Sequence, residues 1–335
     1  MKKVCILGAG SWGTALSIVL CGNGHDVRVW SIDPEEVRML MDFREHRDKL
    51  PGVMIPSSIE FTTDMEYALE EANMVVCAVP STFVRTTMKS AAPYLKENTI
   101  VVDVAKGIEE DTLCTMTEII KQECPQVKAG ILSGPSHAEE VGRGIPTTIV
   151  AGAYEKEVAE YIQDTFMNDY FRVYTSPDVI GIELGGSLKN VIALAAGIVD
   201  GLGFGDNTKA ALMTRGVTEI MRLVVALGGS METVAGLSGI GDLIVTCTSK
   251  HSRNRNAGFL IGQGKSYQEA MDEVKMIVEG VYSAKAALAF AHKMNVSMPI
   301  VEAVNQVLFE GVDAREASIK LLLRDRTRES HNLNW

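Results

Sequence analysis

Gly8-Ala9-Gly10-Ser11-Trp12-Gly13 is a G-x-G-x-x-G string that follows an apolar run and opens a helical pattern. A second strand-like run at 27–30 completes the unit, and that context makes a weak string a dinucleotide fingerprint. Gly8, Gly10 and Gly13 permit a tight turn, close approach of backbone to a pyrophosphate and close helix-on-sheet packing, while the helix N-terminus supplies amide donors. The competing reading is a glycine turn that binds nothing. Cofactor choice is decided at the end of the second strand, where an acidic side chain would accept from a ribose 2′-OH. That stretch reads Trp30-Ser31-Ile32-Asp33-Pro34, with neutral Ser31 at the usual acidic position. Asp33 either holds the ribose hydroxyls or starts the next helix, so NAD and NADP both stay open.

Farther along, Lys106 follows another strand-like run, and Ser133-Gly134-Pro135-Ser136-His137-Ala138 follows the next. Lys106 would bring a cation to the edge that carries the glycine loop, and Ser136 with the amides near Gly134 would serve an oxygen-rich ligand. A lone lysine after a strand is otherwise an ordinary surface residue. His137 reads as loop structure or as a donor behind the contact layer. Lys189-Asn190 interrupts an apolar helical stretch at 182–199, and a lysine among apolar neighbours is a candidate for a lowered pKa and general acid–base work. Its helical neighbours are Gly185, Gly186, Ala193, Ala196 and Gly197. So bare a face could receive a nicotinamide and substrate, or another helix packed close with Lys189 at a solvent rim. Asp242 closes the glycine-rich turn Leu237-Ser238-Gly239-Ile240-Gly241, and Ser252-Arg253-Asn254-Arg255-Asn256 precedes an apolar helical run. Ser252 as N-cap would set a helix N-terminus beside two guanidinium groups, which is the chemistry of a phosphate site. The alternative is a solvated basic loop.

The elements that must position these residues divide the chain. Strand-like runs at 4–7, 27–30, 74–79, 100–104, 129–132, 147–151 and 172–174 alternate with helical stretches such as 12–20, 65–72, 112–122 and 155–166. Alternation of this kind predicts βαβ units around a parallel sheet, with Thr63 and Glu66 as a capping box. In doubly wound sheets ligands collect at the carboxyl ends of strands, where the loop Val79-Pro80-Ser81 and the Lys106 and Gly134 loops fall. After Pro177 the pattern is helical to about Leu323. The expected division is a dinucleotide-binding domain over 1–177, an all-helical domain over 178–323 and a loose tail over 324–335.

A length of 335 residues suits two such domains. A net charge of −11 argues against nucleic acid or an anionic membrane as partner, so a bound phosphate needs a few placed cations. The six cysteines lack any C-x-x-C pair and read as reduced thiols, and the histidines lack ligand spacing, so no metal is expected. The N-terminal MKKVCILGAG resembles neither signal peptide nor anchor, no run reaches about 18 uninterrupted apolar residues, and a cytoplasmic location follows.

GAGSWGTAL at 8–16, VAKGIE at 104–109, LSGPSHAEEV at 132–141, GGSLKNVIALAAGIVDGLGFGDNTKAALMTRG at 185–216, LSGIGDLIVTCTSKHSRNR at 237–255 and VEGVYSAKAA at 278–287 together span most of the chain. In these segments the sequence resembles the bacterial NAD(P)-dependent glycerol-3-phosphate dehydrogenases. The resemblance implies a Rossmann-type α/β N-terminal domain and an all-α C-terminal domain similar to that of 6-phosphogluconate dehydrogenase. It implies Lys189 as proton acceptor, and Lys106, Gly134, Ser136, Asp242, Ser252, Arg253 and Asn254 at the substrate. It places Ser11, Trp12, Lys106, Ala138, Arg253, Ile277 and Glu279 at the cofactor. Family members often carry His or Arg next to or soon after the second strand, and Ile32-Asp33 departs from that. The implied reaction is hydride transfer between C2 of glycerol 3-phosphate and NAD or NADP, supplying glycerol 3-phosphate for glycerophospholipids; a homodimer is compatible with it. Rival readings are a hydroxy-acid dehydrogenase of the same architecture and a dinucleotide sensor without catalysis.

Overall fold

A computed structural model of the chain describes residues 1–326, 328 and 329. Its strands are β1 (Lys3–Leu7), β2 (Asp26–Trp30), β3 (Glu45–His46), β4 (Leu50–Met54), β5 (Glu60–Thr62), β6 (Met74–Cys77), β7 (Ile100–Asp103), β8 (Lys128–Ser133), β9 (Thr147–Ala153) and β10 (Phe171–Ser176). The helices among them are α1 (Ser11–Gly22), α2 (Pro34–Phe43), α3 (Met65–Leu69), α4 (Val84–Ala91), α5 (Met116–Glu123), α6 (Ala138–Val141) and α7 (Lys156–Phe166). Eight strands form one sheet in the order β10-β9-β8-β7-β6-β1-β2-β5. The chain reverses direction across the sheet between β1 and β6, so a crevice opens at their carboxyl ends. Strand β1 shows why both faces are covered: Val4 and Ile6 enter one core cluster, Cys5 and Leu7 the other. Helices α1, α2 and α7 pack on the first face, and α3, α4 and α5 on the second.

The expectation of a parallel sheet needs correction at one edge. Strand β9 pairs antiparallel with β8, and β10 pairs parallel with β9. The connection over 134–146 carries only the four-residue α6 in place of the longer helix that usually crosses over between parallel strands. The 45–54 hairpin and β5 were not foreseen, because Pro51-Gly52 interrupts β4 and β5 is three residues long. Two helix starts also move. Asp64, not Thr63, caps α3, accepting from Tyr67 N at 3.1 Å. A capping box is instead formed by Thr115 with Glu118, so α5 starts at Met116 and 112–114 are outside it.

The rest is helical: α8 (Val179–Gly201), α9 (Asp206–Ala226), α10 (Met231–Ala235), a π-helical turn Leu237–Gly241, α11 (Asp242–Thr248), α12 (Arg253–Gly262), α13 (Tyr267–Val274), α14 (Glu279–Met294), α15 (Pro299–Phe309) and α16 (Ala314–Leu322). Helix α8 is the axle. Asp178 caps it, accepting from Gly181 N at 2.9 Å, and Ile182 packs on Ile131 and Val150 of the sheet. By length and composition α8 could cross a membrane, yet 94% of its most apolar window is buried inside the protein. Its small residues let α12 approach backbone to backbone: a Cβ on Gly197 would lie 2.0 Å from Arg255 O, and one on Gly258 2.0 Å from Leu194 O. The tail expected over 324–335 lies largely outside the described residues.

Candidate active site

The glycine loop sits in the crevice. Gly8, at φ +113°, donates its N–H to Trp30 O at 2.8 Å, and a Cβ there would stand 2.8 Å from Ala78 O. A Cβ on Gly13 would meet Gly8 O at 2.0 Å, whereas one on Gly10 would meet nothing within 4 Å. Two glycines are thus needed by packing and the third faces open space. Gly10 is also the N-cap of α1 and supplies no side-chain cap, which leaves the amides of the first turn free for an anion. Residues present here therefore fit a dinucleotide pyrophosphate. Ser11 and Trp12 open α1, and Ala138 opens α6.

Three further loops reach the same edge. After β6, Ser81 N and Oγ donate to Glu279 Oε1 and Oε2 at 3.1 and 2.5 Å, tying the sheet to the start of α14. After β7, Lys106 and Gly107 are held by α8: Asn190 Nδ2 donates to Lys106 O at 3.2 Å and Ser187 Oγ to Gly107 O at 3.1 Å. After β8, Ser136 Oγ donates to Gly134 O at 3.0 Å. Asn254 Nδ2 donates to Asn190 Oδ1 at 2.9 Å, and Gly280 N donates to Asn254 Oδ1 at 2.8 Å, so one amide chain binds α14, α12, α8 and the Lys106 loop.

At the centre is a carboxylate shared by two ammonium groups. Asp242 Oδ2 lies 2.6 Å from Lys106 Nζ and Oδ1 lies 3.0 Å from Lys189 Nζ. Lys189 is 5% exposed and Asp242 2%. Lys189 also donates to Thr246 Oγ1 at 2.6 Å, and Lys106 to Gly134 O at 3.0 Å. An ammonium has three N–H donors. Each lysine therefore keeps one donor without a protein acceptor among the described residues. Burial pulls the Lys189 pKa down to about 8, with Asp242 opposing and Lys106 assisting. The Asp242 carboxyl, though burial acts to raise it, is held below its ordinary range by Lys106 and Lys189. His137, just before α6, is held below its usual value by burial and then by Lys189.

Residues 3–159 match the family described as NAD-dependent glycerol-3-phosphate dehydrogenase N-terminus, and residues 178–318 match the C-terminus of the same enzyme. The chain belongs to the NAD-dependent glycerol-3-phosphate dehydrogenase family. It is 60% identical to the glycerol-3-phosphate dehydrogenase (NAD(P)+) of Agathobacter rectalis, over 100% of both chains. The Fusobacterium nucleatum enzyme of that name is 55% identical over 98% of this chain and 99% of its own. The crystal structure of glycerol-3-phosphate dehydrogenase from Coxiella burnetii superposes with a TM-score of 0.93 at 36% identity, over 96% of this chain and 99% of that one.

Within this dehydrogenase fold, most residues singled out from sequence converge, one expectation is corrected and the alternatives left open at the Lys189 face and at Asp33 narrow. Ser252 does cap α12, accepting from Arg255 N at 3.2 Å. The pair of guanidinium groups expected there is not a pair: Arg255 Nη2 turns to Asp200 Oδ2 at 2.6 Å, and Arg253 alone has no ion-pair or hydrogen-bond partner among the described residues. Spacing two apart on a helix points side chains in different directions. The bare face around Lys189 is filled by α12 and the π-helical turn, as Gly185 facing Ser238 O at 3.0 Å shows, so it receives protein, not a nicotinamide. Lys189 is not at a rim either; it is buried. Asp33 caps α2, its Oδ1 accepting from Glu35 N at 2.9 Å. Ile277 is half-buried ahead of α14, whose first residue is Glu279. Burial pushes the Glu279 carboxyl up, against Ser81 and Arg253. Sequence reasoning missed Thr246, which was within reach because it lies four residues after Asp242 on one helical face. It placed the Ser81 loop at the right edge of the sheet but not its partner Glu279, which is 198 positions away.

Proposed function

We propose that the chain reduces dihydroxyacetone phosphate to sn-glycerol 3-phosphate, reversibly, with Lys189 exchanging the proton of the C2 oxygen. The observation that carries this is Asp242 bridging Lys106 and Lys189 at 2.6 and 3.0 Å, one cation from each half of the chain, at the carboxyl edge that holds the glycine loop. Bound NADH or NADPH supplies the hydride that adds to C2. The Lys189 ammonium aims its remaining N–H at the developing alkoxide and gives up that proton, leaving a neutral amine; in the reverse direction the amine accepts it. A pKa near 8 serves both directions near neutral pH. Lys106 and Arg253 bind the phosphate, with Gly134, Ser136, Ser252 and Asn254 around it, and Asp242 holds both lysines in place. Gly8, Gly10, Ser11, Trp12, Gly13, Asp33, Lys106, Ala138, Arg253, Ile277 and Glu279 form the cofactor side.

This reading takes 1–177 as the dinucleotide domain and 178–323 as the substrate domain. It places the enzyme in the cytoplasm, in keeping with six free cysteines, where it supplies glycerol 3-phosphate for phospholipid synthesis. Every residue named comes from one chain, so a homodimer would carry a complete site in each protomer. The test is the absorbance of NADH or NADPH after adding dihydroxyacetone phosphate, then a non-phosphorylated ketone. Oxidation with the first alone supports the proposal; silence with both coenzymes, or equal rates with both ketones, overturns it.

A further inference from the structure

We propose that the adenosine end of this cofactor site selects a dinucleotide without a 2′-phosphate, and that Glu36 is the specificity-determining residue. The proposal rests on the dinucleotide assignment made above. Gly8 N binds Trp30 O at 2.8 Å, so the end of β2 lies against the glycine loop. The next residue, Ser31, occupies the place where an acidic side chain usually accepts from the ribose 2′-OH. Ser31 is 3% exposed and its Oγ donates to Glu36 Oε2 at 2.6 Å. The first turns of α2 thus return a carboxylate to the spot where β2 itself offers none. Glu36 Oε1 meets His46 Nε2 at 3.0 Å and Lys49 Nζ at 2.5 Å. Burial alone would raise the Glu36 pKa, but the hydrogen bonds from His46, Lys49 and Ser31 bring it to about 2. The carboxylate is ionised, held by three partners, and 10% exposed.

The cations around it are engaged. Lys49 is on Glu36, Arg44 Nη1 donates to Ile59 O at 2.7 Å, Arg38 stands 3.8 Å from Glu35, and the exposed Arg47 guanidinium lies over the Phe43 ring at 3.4 Å. Ile32, 82% exposed, offers an apolar face but no charge, and Asp33 adds a second carboxylate beside it. A phosphate monoester brings about −1.5 to −2 charges. Placed here it would face two carboxylates, whereas a ribose hydroxyl could donate to them.

Calorimetric titration of the full chain with NADH and with NADPH, and with 5′-AMP and adenosine 2′,5′-bisphosphate, tests this without turnover. NADH should bind at least about tenfold tighter than NADPH, with the same order for the two fragments. Glu36→Gln should tighten NADPH and shrink that ratio to within about threefold, by removing one charge and releasing Lys49. Ile32→Arg, at an exposed position that leaves the Ser31–Glu36 bond intact, should also tighten NADPH, and serves if the Gln variant folds poorly. NADPH binding as tightly as NADH in the unmodified chain, or an unchanged ratio in folded variants, overturns the inference alone. Failure of both dinucleotides to bind overturns the dinucleotide assignment and this inference with it.

Discussion

Asp242→Asn is the most informative single change. It keeps the size of the side chain and one acceptor, but removes the charge shared by Lys106 at 2.6 Å and Lys189 at 3.0 Å. Lys189 rests at about 8 because burial lowers it and Asp242 holds it up. Even with water-like screening, a unit charge at that separation is worth about 1.4 kcal/mol, or about one pKa unit. Lys189 should therefore fall to about 7 or lower. Reduction needs the ammonium and is supported below that pKa; oxidation needs the amine and is supported above it. At pH 8, reduction by the unmodified enzyme should run at about half its acid plateau, and the variant at about a tenth of its own. The midpoints of both directions should move down together. The assay is the pH dependence of kcat/KM for dihydroxyacetone phosphate and for glycerol 3-phosphate, with melting curves to follow the loss of about 3–5 kcal/mol expected from breaking a buried pair. A variant midpoint at or above 8, or a loss uniform across pH, would refute the coupling and leave Asp242 as a structural residue.

Other changes test other parts of the site. Lys189→Ala should lose about 10²- to 10⁴-fold in turnover while calorimetric NADH affinity holds within about twofold; wild-type rates would remove the lysine from its role. Arg253→Ala should raise the KM for dihydroxyacetone phosphate about tenfold with a smaller change in kcat, as the loss of a charge-assisted hydrogen bond predicts, and an unchanged KM would argue against a phosphate contact. Gly197→Ala would set a Cβ 2.0 Å from Arg255 O and force α8 and α12 apart. A loss of about 1–3 kcal/mol or more in urea unfolding is expected, and undiminished stability would mean that the crossing yields without strain.

The parts of the site legible in the sequence were those set by local rules. A glycine string between strand and helix, a lysine in an apolar helix and Ser252 before a helical run each carry their geometry within a few residues. Partner choice across the chain was not legible. Arg255 beside Arg253 looked like half of a clamp, but the helical rotation between them sends it to Asp200. The small face of α8 could be recognised, yet whether a cofactor or α12 fills it depends on how helices 50 residues apart cross. The antiparallel β9 escaped for a related reason: periodicity marks a strand, while its direction depends on whether the preceding connection can span the sheet. Glu36 shows the same limit, since only the fold of α2 and the hairpin brings it to Ser31.

How an acidic chain holds an anion follows from what the buried carboxyls do. The net charge is −11, yet some buried carboxyls near the end of β7 shed part of that charge. Asp103, at the end of β7, is pushed well above its ordinary range by burial and by Glu183, and Glu183 itself is pushed to about 7. A carboxyl that gives up its charge in the interior, as Asp103 does, adds no negative field there. Asp242 is the exception, and it stays ionised because two ammonium groups surround it. Without that carboxylate, burial and mutual repulsion would leave half or more of Lys189 unprotonated at neutral pH; in open water the same lysine would stay protonated, too weak an acid to donate readily and almost never free to accept. The buried bridge keeps both cations in one place and leaves one of them at a pKa where it can work as an acid and as a base.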